Sequence, residues 1–356
     1  MSSSLLKFDL KSLKLPSWLG GGGGVVAGGA SRVHYPPVAI ALGADSFSLV
    51  RLAKDKKTKA IKLASQQVVE VPADLVATEV FQLTMRDTSR MTALVSGAIG
   101  RCGGRAEKIS LVLPDYLARV ALLHFEDLPG SRKEMIGMVR WKMKKAVPFK
   151  VEEAAVDYEI LPGAGPGGGH SVLAVLMPLA IVEEHESFFR RQGIRAGLID
   201  LSTFCIARLY RPVVDSEVPA GGDFMLINAG SCSLAAMIYR GGVPIFYRCK
   251  TFGFDQKIDP AGTLRLLHRE IQASLLYYQE RLDGRHLSRV YMALVGHDPE
   301  RVAALFQGAP VDQQPELVDP RRVIDVGAQA GGDDVMQRLA PAIGAALGNE
   351  FVGRAA

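Results

Sequence analysis

Two apolar segments in separate halves of the chain decide the predicted fold: VAIALGADSFSLV at residues 38–50 and FMLINAGSCSL at residues 224–234. In each, an apolar strand leads to a glycine with small polar neighbours, and a second apolar strand follows. The tight turn of such a hairpin lets backbone N–H groups face a phosphate at close range. One hairpin in each half therefore predicts a duplicated fold whose halves enclose a nucleotide.

The length and charge of the chain suit a two-lobed protein that does not bind nucleic acid. Its 356 residues, 48% of them hydrophobic, are enough for two lobes of roughly 150 residues each. The formal net charge of +5 is mild, and the basic residues are dispersed. Lys142, Lys144 and Lys145 form one basic cluster, which is typical of a solvated helix face. Contact with acidic headgroups or an acidic partner is the alternative.

The cysteines and the apolar runs predict a cytoplasmic location. The four cysteines form no CxxC pair, and no histidine lies at metal-ligand spacing from them. We therefore expect reduced, mostly buried thiols and no metal site. The longest apolar runs are too short to span a membrane. Lys7, Asp9, Lys11 and Lys14 interrupt any apolar segment of a secretory signal.

The N-terminal residues are expected to lie outside the folded part. Residues 1–34 are rich in glycine towards their end and predict a flexible tail. Within residues 5–19, Leu6, Leu10 and Leu13 share one helical face next to a lysine-rich face. An amphipathic helix that lies on a membrane surface is therefore the alternative.

The pattern of strands and helices predicts two α/β lobes joined near Pro212–Gly222. Both lobes open with three strands and continue with alternating helices and strands, which predicts mixed sheets flanked by helices. We expect the first lobe at residues 35–215, with an inserted α+β subdomain at about 116–178, and the second lobe at residues 216–356. Residues 77–101 are expected to be mostly helical.

An ordered set of residues in the predicted insert resembles the PilM family of type IV pilus assembly proteins. The set is Leu128-Pro129, Val139-Arg140-Trp141, Val147-Pro148-Phe149, Glu152-Glu153 and Asp157-Tyr158, followed later by Gly197-Leu198-Ile199-Asp200, Tyr277-Tyr278 and Ile343-Gly344. The resemblance covers most of residues 37–350 and extends more distantly to the cell-division protein FtsA. It implies a two-lobed actin-like fold, of the duplicated ribonuclease H-like type.

The resemblance also implies an ATP site between the lobes, but the expected magnesium ligands are missing. The family has an aspartate where Ala41 and Asn228 stand, and such a carboxylate holds Mg²⁺ or its waters. Alanine cannot do this, and asparagine lacks the charge. We therefore predict no catalytic residue, no metal site and at most a vestigial ATP site. Its candidate residues are Gly43, Asp45, Ser46, Asn228, Gly230, Ser231, Glu270 and Gly296.

Several of these candidates also have an ordinary structural interpretation. Asp45 is expected to cap the hairpin turn, and replacement of a lost carboxylate is the alternative. Glu270 is expected to be a solvated helix residue, with contact to a ribose as the alternative. Ser46 and Ser231 fit a phosphate contact and an ordinary turn equally well.

Trp141 and Phe149 lie in the second half of the predicted insert helix and at its proline stop. Core packing is the favoured interpretation of Trp141. The alternative is the wall of a groove for a partner. In the family, the cytoplasmic tail of a PilN-type bitopic membrane protein docks as an extended segment between insert and first lobe. The resemblance therefore implies a PilN-like partner, with Trp141 and Phe149 as candidate contacts.

Together these features predict a cytoplasmic scaffold of a type IV pilus or type II secretion-like machine, peripheral to the inner membrane. It would dock the tail of its membrane partner, link it to the pilus motor ATPase and hydrolyse no ATP. The alternatives are a slow ATPase that uses Asp45 and an FtsA-like filament that binds lipid through residues 5–19. A sugar kinase is disfavoured, because no catalytic aspartate is apparent at its expected place in the first lobe.

Overall fold

A computed structural model describes residues 36–348, apart from residues 56, 59, 164, 166, 253–259 and 328–330. The predicted tail at residues 1–34, with its alternative helix at residues 5–19, lies outside the described residues. No helix in the described part of the chain is both long and apolar enough to cross a membrane.

Strands and helices alternate along the described chain. The strands are β1 (Val38–Leu42), β2 (Ser46–Lys54), β3 (Ile61–Glu70), β4 (Val76–Glu79), β5 (Gln82–Met85), β6 (Lys108–Leu113), β7 (Arg119–Phe125), β8 (Ala154–Ile160), β9 (His170–Pro178), β10 (Arg195–Leu201), β11 (Asp223–Ala229), β12 (Ser233–Arg240), β13 (Val243–Thr251), β14 (Arg289–Leu294) and β15 (Glu316–Leu317). The helices are α1 (Thr88–Arg101), α2 (Arg132–Met143), α3 (Leu179–Arg191), α4 (Ser202–Glu217), α5 (Pro260–Arg281), α6 (Pro299–Ala303) and α7 (Asp333–Leu347).

Five strands form the first sheet in the order β10-β6-β1-β2-β3. The strands β1, β2 and β3 are antiparallel neighbours, whereas β6 runs parallel to both β1 and β10. Every residue of β1 is buried, as expected for a central strand that is covered on both faces. The hairpin predicted at residues 38–50 therefore lies at the centre of this sheet.

The second sheet repeats this arrangement in the order β13-β12-β11-β14-β15. Its first three strands form an antiparallel meander, and β14 runs parallel to β11. The strands β1 and β11 are therefore equivalent, and so are the turns that follow them. The duplicated α/β fold predicted from the two hairpins is confirmed.

Helices lie between and outside the two sheets. The outer face of the first sheet packs on α1 and α3, and the outer face of the second packs on α5 and α6, while α4 and α7 lie between the sheets. The helices α4 and α7 cross so closely that a Cβ on Gly344 would lie 1.9 Å from the carbonyl oxygen of Cys205. A buried ion pair between Arg208 and Asp200, each 3% exposed, stabilises the same crossing, since Arg208 also donates to the Gly344 carbonyl at 3.2 Å.

The predicted insert is a separate layer of three antiparallel strands, β7-β9-β8, with one helix. Met135, Val139 and Met143 recur every four residues along α2 and bury its inner face against this sheet. Ser131 caps the helix by accepting a hydrogen bond from the Glu134 N–H at 3.2 Å. The insert therefore has an α+β core of its own.

The prediction of a mostly helical segment at residues 77–101 is wrong in its first part. Residues 76–85 form the hairpin of β4 and β5, and α1 begins only at Thr88. Its turn contains neither glycine nor asparagine, and Phe81 adopts the positive φ of 58°. No residue there signals a turn, because the usual residues for positive φ are absent.

The predicted junction near Pro212–Gly222 includes the last turns of a helix. The helix α4 continues through Pro212 to Glu217, because the buried side chains of Val213 and Val214 hold its last turns against the core. In addition, α7 falls within residues 216–356, which were assigned to the second lobe, yet it packs on α4 and on β1, β2 and β6 of the first sheet. The C-terminal helix therefore returns to the first half of the molecule.

Candidate functional site

Two equivalent turns line one cavity between the sheets. In the first turn the backbone N–H of Gly43 donates to the carbonyl of Ser46 at 2.8 Å, and in the second Gly230 donates to Ser233 at 3.0 Å. The cavity between them has a volume of about 110 Å³. It brings together six of the predicted site residues, namely Gly43, Asp45, Ser46, Asn228, Gly230 and Ser231.

A buried carboxylate lies in the wall of this cavity. Asp115 follows β6, is 4% exposed and accepts hydrogen bonds from the Thr203 hydroxyl at 2.9 Å, the Tyr247 hydroxyl at 3.0 Å and the Asn228 amide at 3.0 Å. The Asn228 amide also donates to the Ser202 hydroxyl at 3.0 Å. We call these five residues the Asp115 network. Asp115 lies just after β6, Ser202 and Thr203 begin α4, and the other two residues come from the second sheet, so the network joins the two halves.

The environment of Asp115 shifts its titration towards neutral pH. Burial raises the pKa of the carboxyl from 3.8 to about 6, and the hydrogen bonds from Thr203, Tyr247 and Asn228 oppose part of this increase. Burial also raises the pKa of Tyr247 well above its ordinary value, so this phenol stays neutral and donates its proton. An aspartate in place of Asn228 would put a second carboxylate beside the first and remove a donor.

A cation from α7 also lines the cavity. Arg338 donates to the Ser46 hydroxyl at 3.1 Å and pairs with Asp334 at 2.9 Å. The Ser46 hydroxyl in turn donates to the Asp45 carboxylate at 3.0 Å. This short-range contact fits the role of a turn residue, which the sequence favours for Asp45.

The cavity does not fit a magnesium-bound nucleotide. Its volume of about 110 Å³ is well below the roughly 300–1,000 Å³ of typical ligand pockets. Ala41 offers no carboxylate, and the Asn228 amide is committed to Asp115 and Ser202. Within the described residues, no group of three or more His, Cys, Asp or Glu side chains could hold a metal ion. The predicted site residues thus offer no magnesium ligand set in the described part of the chain, and their binding of ATP itself stays a prediction.

Glu270 lies outside the cavity lining. It is 6% exposed and pairs with Arg248 at 2.7 Å and Arg269 at 3.1 Å. Burial alone would raise the pKa of Glu270, but the hydrogen bonds from these guanidinium groups lower it below its ordinary value. The expectation of a solvated glutamate is therefore wrong, since the carboxylate is buried and paired.

Gly296 also lies outside the cavity lining, in the loop after β14. It adopts a φ of 76°, a conformation that favours glycine. The ring of the neighbouring His297 makes a hydrogen bond of 2.9 Å with the Gly230 carbonyl. The loop thus contacts the second turn through the hydrogen bond between His297 and Gly230.

A larger depression of about 430 Å³ lies between the insert and the second sheet, and we call it the groove. Residues 246–251 of β13, an edge strand, line one side together with Tyr277 of α5. The β4–β5 turn and the start of β7 line the other side. Val80 and Tyr277 are 50% and 46% exposed at the groove, and three of its lining residues are cationic: Arg119, Arg248 and Lys250.

The two predicted partner contacts occupy different places. Phe149 packs edge-on against Phe81 with ring centroids 5.1 Å apart, and so joins the insert to the β4–β5 turn beside the groove. Trp141 is 76% exposed and is not part of the groove lining. Its favoured interpretation as a core residue is wrong, because α2 buries Val139 and Met143 and residue 141 lies on another face.

The fold and this cleft define a duplicated actin-like protein whose halves meet at a small polar cavity. Residues 39–260, more than half of the chain, match the family model described as type IV pilus assembly protein PilM. The chain belongs to this family, and the resemblance predicted from the insert is confirmed.

Solved structures resemble the chain to different degrees. The chain is similar to the PilM-PilN type IV pilus biogenesis complex, with 17% identity, 89% of this chain and 97% of that chain covered, and a TM-score of 0.69. A Bacteroides thetaiotaomicron protein with an actin-like ATPase fold and unknown function has 11% sequence identity and a TM-score of 0.48, and the comparison covers 86% of this chain and 96% of that chain. The cytoplasmic domain of EpsL, an inner-membrane component of the type II secretion system of Vibrio cholerae, has 10% sequence identity and a TM-score of 0.42. That comparison covers 85% of this chain and 92% of the EpsL domain. No curated protein matches the chain in sequence.

Sequence reasoning did not identify Asp115, Thr203, Tyr247 or Arg338. Asp115 carries one signal, since it closely follows the apolar run Leu111–Leu113 at the end of β6, and polar residues at the carboxyl ends of such strands often line sites. A first-lobe carboxylate therefore does line the cavity, although none was expected there. The other three carry no local pattern, because their contacts join distant parts of the chain.

Proposed function

We propose that this protein is a cytoplasmic docking scaffold of a type IV pilus machine, peripheral to the inner membrane. Its groove would bind the extended cytoplasmic tail of a PilN-like bitopic partner. Family membership and the likeness to a PilM-PilN complex support the pilus role and the kind of partner. The observation that carries the proposal is the contrast between the two sites. The groove measures about 430 Å³ beside exposed apolar side chains, whereas the cavity measures about 110 Å³ and the Asn228 amide in its lining is committed to Asp115 and Ser202.

The chemistry of the groove suits an extended peptide. An edge strand such as β13 can accept an added strand through backbone hydrogen bonds, while neighbouring pockets take alternate side chains. Val80 and Tyr277 offer apolar contact on opposite sides of the groove. Arg119 and Lys250 favour acidic residues in the peptide and disfavour basic ones.

Tyr247 connects the groove to the cavity. It lies on β13 along the groove, and its hydroxyl donates to Asp115 at 3.0 Å. A docked tail that shifts β13 would alter the Asp115 network and, with it, the angle between the two sheets. In this proposal the bound tail, and not ATP hydrolysis, sets the conformation that is presented to the motor ATPase.

Isothermal titration with a synthetic peptide of the PilN-like tail tests the proposal on the full-length protein. We expect Tyr277→Ser to weaken binding at least tenfold, because it removes an exposed aromatic contact. Leu276→Ser is the matched control, since Leu276 is the adjacent residue, is 53% exposed and lies outside the groove lining. Docking in the groove would be contradicted if Tyr277→Ser bound the peptide as tightly as the wild type does. An equal loss of affinity in Tyr277→Ser and Leu276→Ser would also contradict it.

A slow ATPase is the second candidate, because Asp115 places a carboxylate in the cavity wall. Phosphate release from Mg-ATP, measured for the wild type and for Asp115→Asn, distinguishes the two functions. The scaffold proposal predicts no release above background in either protein. Turnover that the substitution abolishes would establish the enzyme instead.

A further inference from the structure

The end of α2 combines an exposed tryptophan with the concentrated positive charge of the chain. Trp141 is 76% exposed, more than Val80, Leu276 or Tyr277 at 46–53%. Residues 131–150 contain seven lysines and arginines and one acidic residue, so their formal charge of +6 exceeds the +5 of the whole chain. The remainder of the chain is therefore nearly neutral. We call Trp141, Lys142, Lys144, Lys145 and Lys150 the Trp141 patch.

The geometry of α2 places two of these charges, Lys144 and Lys145, on the side of the indole ring. All four lysines of the patch are exposed. Lys144 and Lys145 follow Trp141 by three and four residues, and the backbone at Lys144 is still helical, so they lie on the same side of the helix. Neither of these two lysines has a carboxylate partner within the described part of the chain. Lys150, in contrast, pairs with Glu153 at 2.9 Å.

We propose that the Trp141 patch binds directly to the surface of an anionic lipid bilayer. Tryptophan favours the membrane–water interface, where its ring lies among the headgroups. Lysines attract anionic headgroups as flexible, hydrated point charges. The adjacent Arg140 is used within the insert, since it donates to the Ala154 carbonyl at 3.0 Å. Lys142 also contacts the insert, since it donates to the His124 carbonyl and lies over the Phe125 ring, so Lys144 and Lys145 carry the proposal.

A bilayer fits this surface better than an acidic protein does. Tryptophans that dominate protein interfaces usually fill packed pockets, whereas Trp141 is 76% exposed near the end of α2, outside the linings of the cavity and the groove. Recognition of single carboxylates favours the bidentate fork of arginine, but the exposed cations on the side of Trp141 are the lysines Lys144 and Lys145. The inference does not depend on docking in the groove, because the two surfaces share no residue.

Vesicle co-sedimentation of the full-length protein tests the inference. The vesicles contain phosphatidylglycerol and phosphatidylethanolamine, and phosphatidylcholine vesicles serve as the uncharged comparison. We expect the double variant Lys144→Glu, Lys145→Glu to bind the anionic vesicles about 30-fold more weakly, since each lysine near such a surface contributes about fivefold. The matched control is Lys57→Glu, Lys62→Glu, which changes the net charge equally at two other exposed lysines and is expected to bind like the wild type.

Tryptophan fluorescence gives an independent measurement. The chain has two tryptophans, so a Trp18→Phe variant reports on Trp141 alone. We expect a blue shift and protection from acrylamide quenching with anionic vesicles, and neither change with phosphatidylcholine. An unchanged spectrum, or equal sedimentation of the two charge-reversal variants, would overturn the proposal. Protection by a glutamate-rich peptide but not by anionic vesicles would also overturn it and assign the patch to a protein partner.

Discussion

The Asp115 network makes a quantitative prediction about stability and pH. The substitution Asp115→Asn keeps the shape of the side chain but removes the titrating group. In the wild type, burial raises the pKa of this carboxyl from 3.8 to about 6. Because one pKa unit corresponds to about 1.4 kcal/mol, the difference of about two units amounts to roughly 3 kcal/mol.

The sign follows from the direction of the shift. A raised pKa means that the folded protein binds this proton more tightly than the unfolded chain does. The resulting stabilisation is complete below about pH 4 and is lost as the pH rises through about 6. The free energy of unfolding of the wild type should therefore fall by roughly 3 kcal/mol relative to Asp115→Asn between well below about pH 4 and above about pH 7, with roughly 1 kcal/mol of the fall between about pH 5 and pH 7.

Urea denaturation of both proteins over a series of pH values measures this difference, and contributions from all other titrating groups cancel between them. Asp127→Asn removes an exposed carboxylate outside the network and serves as the control for the loss of charge. A difference between the wild type and Asp115→Asn that does not change with pH would refute the reasoning. It would mean that the carboxylate is solvated and that the two halves do not close around it.

Three further substitutions test the packing of the two halves by urea denaturation. Gly344→Ala places a methyl group 1.9 Å from the facing backbone of α4. This substitution should lower the free energy of unfolding by about 3 kcal/mol. A loss below about 1 kcal/mol would show that α4 and α7 do not cross this closely. Asn228→Asp should cost about 2 kcal/mol near pH 7, because it removes a donor and puts a like charge 3.0 Å from Asp115, and the cost should shrink near pH 5 as the pair takes up a proton. Arg208→Met should cost about 3–5 kcal/mol, since it leaves Asp200 buried without its cation, and the double variant with Asp200→Leu should recover most of this loss; no recovery would refute the ion-pair explanation.

Local sequence patterns predict the two sheets well but the cavity only in part. Gly43 and Gly230 mark the two turns because each follows an apolar strand directly, and the structure places both turns at one cavity. The partner of Asn228 could not be predicted in this way. Asp115 is 113 residues distant along the chain, and only the packing of the two sheets brings the two side chains together.

The groove and the exposure of Trp141 could not be predicted from the sequence, for different reasons. The groove combines residues from β4–β5, β7, β13 and α5, so no contiguous motif marks it. Trp141 fits the apolar composition of α2, but it follows Val139 by two positions, about 200° around the helix. Val139 is fully buried and Trp141 is exposed, which the hydrophobic composition alone cannot distinguish.

Hydrogen–deuterium exchange of the full-length protein, with and without the PilN-like tail peptide, tests the central claim most directly. Docking in the groove predicts slower amide exchange along β13 at residues 246–251 and at the β4–β5 turn, and little change at the turns that follow β1 and β11. Protection confined to those two turns, at residues 43–46 and 230–233, would instead place the ligand in the cavity and contradict the account.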